Sequence, residues 1–277
     1  MRIAYLGPAG TFTEDALREA MAGERFEPQW TSTVHDAILA VEHGEAERAF
    51  VPFENSIEGS VRSSLDTLAF ETEAVTIAGE HDHVVSAQLI AREPIEPHRI
   101  AKVLSHPQPL AQCARFLREH LPEAGRESVS STAEAVRLVS ESDQPWAAIG
   151  ARAAADLYGC TILREGIEDE AGNVTRFVWI APAGTELAGS GPWKTSLVFS
   201  ELGQDHPGAL VDALQEFSSR GINLTRIESR PLRVGLGRYM FFVDLEGAAT
   251  DPAVSAAIAA LREKAESVRI LGSYPVG

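Results

Sequence analysis

Over its first two thirds the chain alternates short apolar runs with amphipathic stretches of helical period. "RIAYLG" at residues 2–7 is an apolar run ending in Gly-Pro and predicts a buried strand. "TFTEDALREAM" follows as a helix, with Thr11 and Glu14 at capping-box spacing. "VHDAILAVEHG" predicts a second helix stopped by Gly44, and "RAFVPFE" a second strand. In "NSIEGSVRSSLDTLAF", Asn55 is expected to cap a third helix, with Glu58 three residues on. "HDHVVSAQLIAR" reads as extended, "IAKVLS" as a buried strand, and "SHPQPLAQCARFLREHL" as a helix opened by Ser105. "STAEAVRLVSES", "WAAIGA" and "ARAAADLYG" give helix, strand and helix, before "CTILREGIED" and a strand from Thr175 to Pro182. Such alternation predicts an α/β region whose sheet is largely parallel and covered on both faces.

The pattern then breaks. "APAGTELAGSGPWK" has no periodicity and reads as a linker. Beyond it, "TSLVFSEL", "INLTRIESRP", "RYMFFVDLEG" and "VRILGSYP" predict strands. Two helices intervene, one with Leu210, Ala213, Leu214 and Phe217 in a stripe, the other with Val254, Ile258 and Leu261 inward. The order βαββαβ is the ferredoxin-like plan, whose small sheets often pair edge to edge, so an oligomer is expected.

Composition narrows the function. A net charge of −16, from 40 acidic against 24 basic residues, argues against a nucleic-acid partner. Cys113 and Cys160 are too few for a disulfide framework, and no apolar run is long enough to span a bilayer, so a cytoplasmic protein with no membrane partner is expected. "SGPWKTS" lacks the glycine before Lys194 that a phosphate loop needs, and "GLGRYM" lacks a third glycine. His81 and His83 would share one strand face, but no third ligand is evident, so neither metal nor cofactor is expected.

Three polar motifs, "GPAGTFT", "ENS" and "SHPQ", each fall where a strand is expected to hand over to a helix. In open α/β sheets that edge binds ligands, and helix N-termini there favour a small carboxylate. Thr175 stands at a fourth strand end.

In this order, "GPAGTFT", "VPFENSIEGSV", "SHPQPLAQC" and "TRF" resemble prephenate dehydratases, while "GALV" and "TRIESRP" resemble the phenylalanine-binding motifs of the ACT domain that follows the catalytic domain in that family. The resemblance covers nearly the whole chain, with small departures at Thr13 and Phe53. It implies two lobes like those of periplasmic binding proteins, residues 1–78 with 162–185 and residues 79–161. A linker at 186–193 and an ACT domain at 194–277 would follow, pairing copies into a homodimer or homotetramer.

The activity implied is conversion of prephenate to phenylpyruvate, water and carbon dioxide, with phenylalanine as effector. Thr175 is expected to donate the proton, with Thr11, Asn55, Ser56, Ser105, Gln112, Arg176 and Phe177 around the substrate. Strict alternation points Arg176 away from Thr175, towards a structural ion pair, whereas the resemblance gives it to a substrate carboxylate; the latter is the expectation. Gly208, Ala209, Leu210, Glu228, Ser229 and Arg230 are expected at the phenylalanine site. Arogenate as substrate and a non-catalytic amino-acid sensor are the rival readings; a side chain placed to give up a proton favours chemistry.

Overall fold

A computed structural model describes residues 1–189, 191–202 and 207–276. Ser190 of the expected linker and the terminal Gly277 lie outside the described residues. The chain forms two compact units, Met1–Ser64 with His81–Phe177, and Leu65–Glu80 with Val178–Gly277.

The elements run β1 (Arg2–Leu6), α1 (Phe12–Ala20), β2 (Glu27–Thr31), α2 (Val34–Glu42), β3 (Arg48–Asn55), β4 (Gly59–Ser60), α3 (Arg62–Phe70) and β5 (Val75–Val84). Next come β6 (Gln88–Ala91), β7 (Lys102–Ser105), α4 (Pro107–Gln112), α5 (Ala114–His120), β8 (Gly125–Ser128), α6 (Thr132–Glu141), β9 (Trp146–Gly150), α7 (Arg152–Tyr158), β10 (Thr161–Arg164) and β11 (Val174–Pro182). The last set is β12 (Trp193–Ser200), α8 (Ala209–Ser218), β13 (Leu224–Pro231), β14 (Tyr239–Glu246), α9 (Pro252–Arg262) and β15 (Ser267–Pro275).

The first sheet has the order β2-β1-β3-β11-β5, with β4 paired to β3, and β1 runs parallel to both its neighbours. The second is β10-β6-β9-β7-β8, parallel where β7 meets β8 and β9 and antiparallel where β6 meets β9 and β10. Successive apolar residues of its strands serve opposite faces. Leu89, Val103 and Ile149 pack with Cys113 and Leu117, while Ile90, Leu104 and Ala148 pack with Val136, Val139 and Ala154. Burial on both sides is why these strands read as continuous apolar runs.

Two boundaries differ from expectation. Thr161–Arg164 pairs with β6 in the second sheet, not in the first lobe, and the extended stretch at 81–92 is two strands in different sheets. The first sheet therefore takes the chain as far as Val84 and receives it back only at Val174. Among the strands that the sequence does not announce are β2 and β8. β2 ("EPQWT") and β8 ("GRES") are polar or carry proline, and both are edge strands, where neither apolar alternation nor every backbone donor is required.

In the second unit the order β13-β14-β12-β15 is the antiparallel ferredoxin-like arrangement. Phe217 of α8 and Val254, Ile258 and Leu261 of α9 share one core with Leu197, Phe199, Val243 and Leu245. Within the same unit, Thr76 of β5 donates to the Leu271 carbonyl at 3.2 Å. Gly272 lies so close to the Ile77 backbone that a Cβ would sit 2.3 Å from its carbonyl oxygen.

Candidate functional site

The site is built from the start of β11 and the turn after β3. Asn55 closes β3, and its Oδ1 accepts from the backbone N–H groups of Ile57 at 3.0 Å and Glu58 at 2.9 Å. Asn55 thus turns the chain into the β3–β4 hairpin; it does not cap α3, which begins only at Arg62. This Asx turn is the local alternative that short polar side chains offer the backbone. Its amide nitrogen donates to Asn173 Oδ1 at 2.6 Å and to Thr175 Oγ1 at 2.9 Å. Ser56 ties the same turn to β11: its N–H donates to the Val174 carbonyl at 2.8 Å, and its Oγ accepts from the Val174 N–H at 3.0 Å. Ser56 is thereby a backbone clamp, not a free substrate ligand.

Thr175 is 8% exposed. Its oxygen accepts from Asn55, and among the described residues no acceptor takes its own proton. A hydroxyl held in this way keeps its own proton free to donate.

Four more of the expected substrate contacts have partners within the fold. Arg176 donates to Glu54 Oε2 at 2.9 Å and lies 5.1 Å from the Phe53 ring centroid, the ion pair that strand alternation predicts. Phe177 is 2% exposed and stacks on Phe50 at 4.8 Å between centroids, which makes it core, not a ligand wall. Ser105 is wholly buried, and its hydroxyl donates to the Ile149 carbonyl at 2.7 Å, tying β7 to β9. The cap after it is His106, whose ring accepts from the Gln108 N–H at 3.4 Å, and the helix breaks at Cys113 into α4 and α5. Thr11 sits at the N-cap of α1, but its hydroxyl contacts the Leu6 carbonyl at 3.3 Å. Glu14 fills the reach-back role instead, accepting from the Gly10 N–H at 2.6 Å.

The side-chain nitrogen of Gln112 has no such hydrogen-bond partner among the described residues. With Glu58, His106, Pro107, Gln108 and Ala111, Gln112 lines an open depression of about 540 Å³, and that nitrogen is buried. That nitrogen is a donor awaiting an acceptor, because a buried N–H left unmade costs about 1–3 kcal/mol. Glu58 and His106 were overlooked in the sequence reading, although both sit inside the motifs "SIEGSV" and "SHPQ". The depression connects to Thr175 through bonds: Glu58 N–H to Asn55, and Asn55 to Thr175.

In the second unit, Gly208 precedes α8 with φ 99°, a left-handed conformation that favours glycine, and open space surrounds the position a Cβ would take. Glu228, Ser229 and Arg230 lie on β13, an edge strand. Arg230 grips Asp66 of α3 with both prongs, Nε to Oδ1 at 3.0 Å and Nη2 to Oδ2 at 2.7 Å, and Arg233 adds a third bond at 2.7 Å. Burial by itself would raise the Asp66 pKa, but the two guanidinium groups outweigh it and hold the carboxyl below the usual carboxylate range. Arg230 is therefore engaged within its own unit.

His81 and His83 do share a face of β5, and the structure supplies the third group that the sequence did not show, Glu19 of α1. Among the described residues no helix is long and apolar enough to cross a membrane.

Comparison with known proteins identifies the family. A family model described as prephenate dehydratase matches residues 3–185, and one described as ACT domain matches residues 201–263. The prephenate dehydratase of Mycobacterium marinum is 40% identical over 284 residues, covering 100% of this chain and 89% of its own. The crystal structure of prephenate dehydratase from Arthrobacter aurescens in complex with L-Phe superposes with a TM-score of 0.89 at 40% identity, covering 99% of this chain and 90% of that one. A protein described as GqqA, a novel type of quorum quenching acylase, has a TM-score of 0.88 at 30% identity, covering 100% and 98%.

Proposed function

Because the chain belongs to the prephenate dehydratase family, we propose that Thr175 is the acid that protonates the departing hydroxyl as prephenate loses water and carbon dioxide. The observation that carries this reading is the hydroxyl that accepts from Asn55 at 2.9 Å and donates to no described residue.

The ring C–O bond breaks with its electron pair moving to oxygen, which takes the Thr175 proton and leaves as water. The electrons of the bond to the ring carboxylate flow into the ring, carbon dioxide departs, and phenylpyruvate remains. Threonine is a weak acid, but aromatisation supplies driving force, and the Asn55 N–H steadies the negative charge left on Oγ1 until water returns the proton. Binding energy belongs on the pyruvyl carboxylate, because pairing the ring carboxylate would stabilise a charge that must vanish. Gln112 is the donor for the pyruvyl end, and Asn55 is a positioning residue.

Phenylalanine regulates the enzyme through the ACT domain. The residues assigned to it here are Gly208, Ala209 and Leu210 at the start of α8 with Glu228 and Ser229 on β13, while Arg230 transmits through Asp66. Edge strand β13, with Ile227 48% exposed, is the surface on which two copies pair; sedimentation equilibrium showing a monomer would remove that pairing.

Thr175→Ala should lower kcat by about 10²–10⁴-fold with the fold intact, and Thr175→Ser should retain part of the rate. Phenylpyruvate formation from prephenate reads both. Near-normal turnover by a folded Thr175→Ala protein overturns the assignment.

A further inference from the structure

His81 and His83 alternate on β5, so both rings project from one face of the first sheet towards α1. There Glu19 meets them: His83 Nδ1 lies 2.6 Å from one carboxylate oxygen and His81 Nε2 3.8 Å from the other. The three ligand atoms all fall within 4.8 Å of one another. The rings are held from behind, His81 by Phe50 at 6.3 Å between centroids and His83 by the edge of Phe177 at 6.4 Å.

One atom of this group makes no hydrogen bond. His81 Nε2 is buried and has no hydrogen-bond partner among the described residues, though it faces the Glu19 carboxylate. Asp15, one turn before Glu19, interacts electrostatically with His83 and Glu19, and with Arg152 and Asp156 beyond them.

From this the geometry points to a binding site for one divalent d-block cation, such as Zn²⁺, held by Glu19, His81 and His83. Two imidazole nitrogens and a carboxylate suit zinc, cobalt or nickel over calcium and magnesium, which take oxygen ligands. Bonds of about 2.0–2.1 Å in tetrahedral array place ligand atoms roughly 3.4 Å apart, a spacing bracketed by the separations found here. Three protein ligands leave a fourth position for water or a small anion. Such an ion would fasten α1 to β5 and takes no part in the dehydration, so the inference stands independently of the role given to Thr175.

The test is a titration of tag-free, chelator-stripped full-length protein with Zn²⁺ alone by calorimetry, and with Co²⁺ followed by its visible absorption. One ion per chain is expected, with a rise in Tm on binding. Glu19→Gln and His81→Ala, at partly exposed positions, should each weaken binding by at least about tenfold and abolish the cobalt spectrum while leaving the metal-free Tm near that of the parent. Absence of binding at about 100 µM metal overturns the site, and so does binding of undiminished strength in both variants. In either case the cluster is a histidine–glutamate ion pair.

Discussion

At the residue scale, Asn55 performs two tasks with the two ends of one amide. Its oxygen turns the chain at Ile57 and Glu58, and its nitrogen holds Thr175. Asn55→Asp keeps the turn and removes the donor, so kcat should fall about tenfold or more with stability nearly unchanged. Asn55→Ala removes both and should also cost about 1–3 kcal/mol in urea unfolding. For Arg176, buried against Phe53 and paired with Glu54, Arg176→Lys should lower stability by about 1–3 kcal/mol and leave KM unchanged, since lysine loses the planar stacking and the fork. A raised KM with normal stability would return Arg176 to the substrate. Thr175 stands out in the sequence because a polar residue at a strand end breaks from its apolar continuation. Arg176 pairs with Glu54 because alternation along the regular backbone of β11 turns it away from Thr175. For Phe177 and Ser105, proximity to a motif says nothing about which way a side chain faces.

At the scale of elements, those with a buried face were visible in the sequence and those without were not. The ferredoxin-like order emerged in full because both of its helices and its central strands feed one apolar core. β2 and β8 are edge strands with little to bury, and pairing to a neighbour is their only specification. The β3–β4 hairpin was taken for a helix start because Asn-x-x-Glu spacing suits a cap as well as an Asx turn. β15 was foreseen, but not its closeness to β5. Gly272→Ala would place a methyl group against the Ile77 backbone, which has no side-chain rotation with which to yield. A loss of about 1–3 kcal/mol, seen as a lower Tm, is expected.

At the scale of the whole molecule, the Arg230–Asp66 fork joins the strand bearing the "ESRP" motif to α3, the helix that continues from the Asn55 hairpin. Asp66→Asn weakens that grip. The phenylalanine concentration needed for half-maximal effect should then shift by about 5–150-fold, the span of a 1–3 kcal/mol coupling, while the rate without effector changes little. An unchanged response separates Arg230 from regulation. The Asn55–Thr175 pair carries a different consequence. Neither side chain ionises across about pH 5–9, so the donor itself puts no bend into a plot of log kcat against pH. The acid limit belongs to the fold: with Asp66 held below its ordinary 3.8, the stabilisation from Arg230 and Arg233 is complete above that value and disappears as pH falls through the lowered one. The rate should trace a plateau that ends when the protein unfolds, instead of the bell drawn by a titrating acid–base couple.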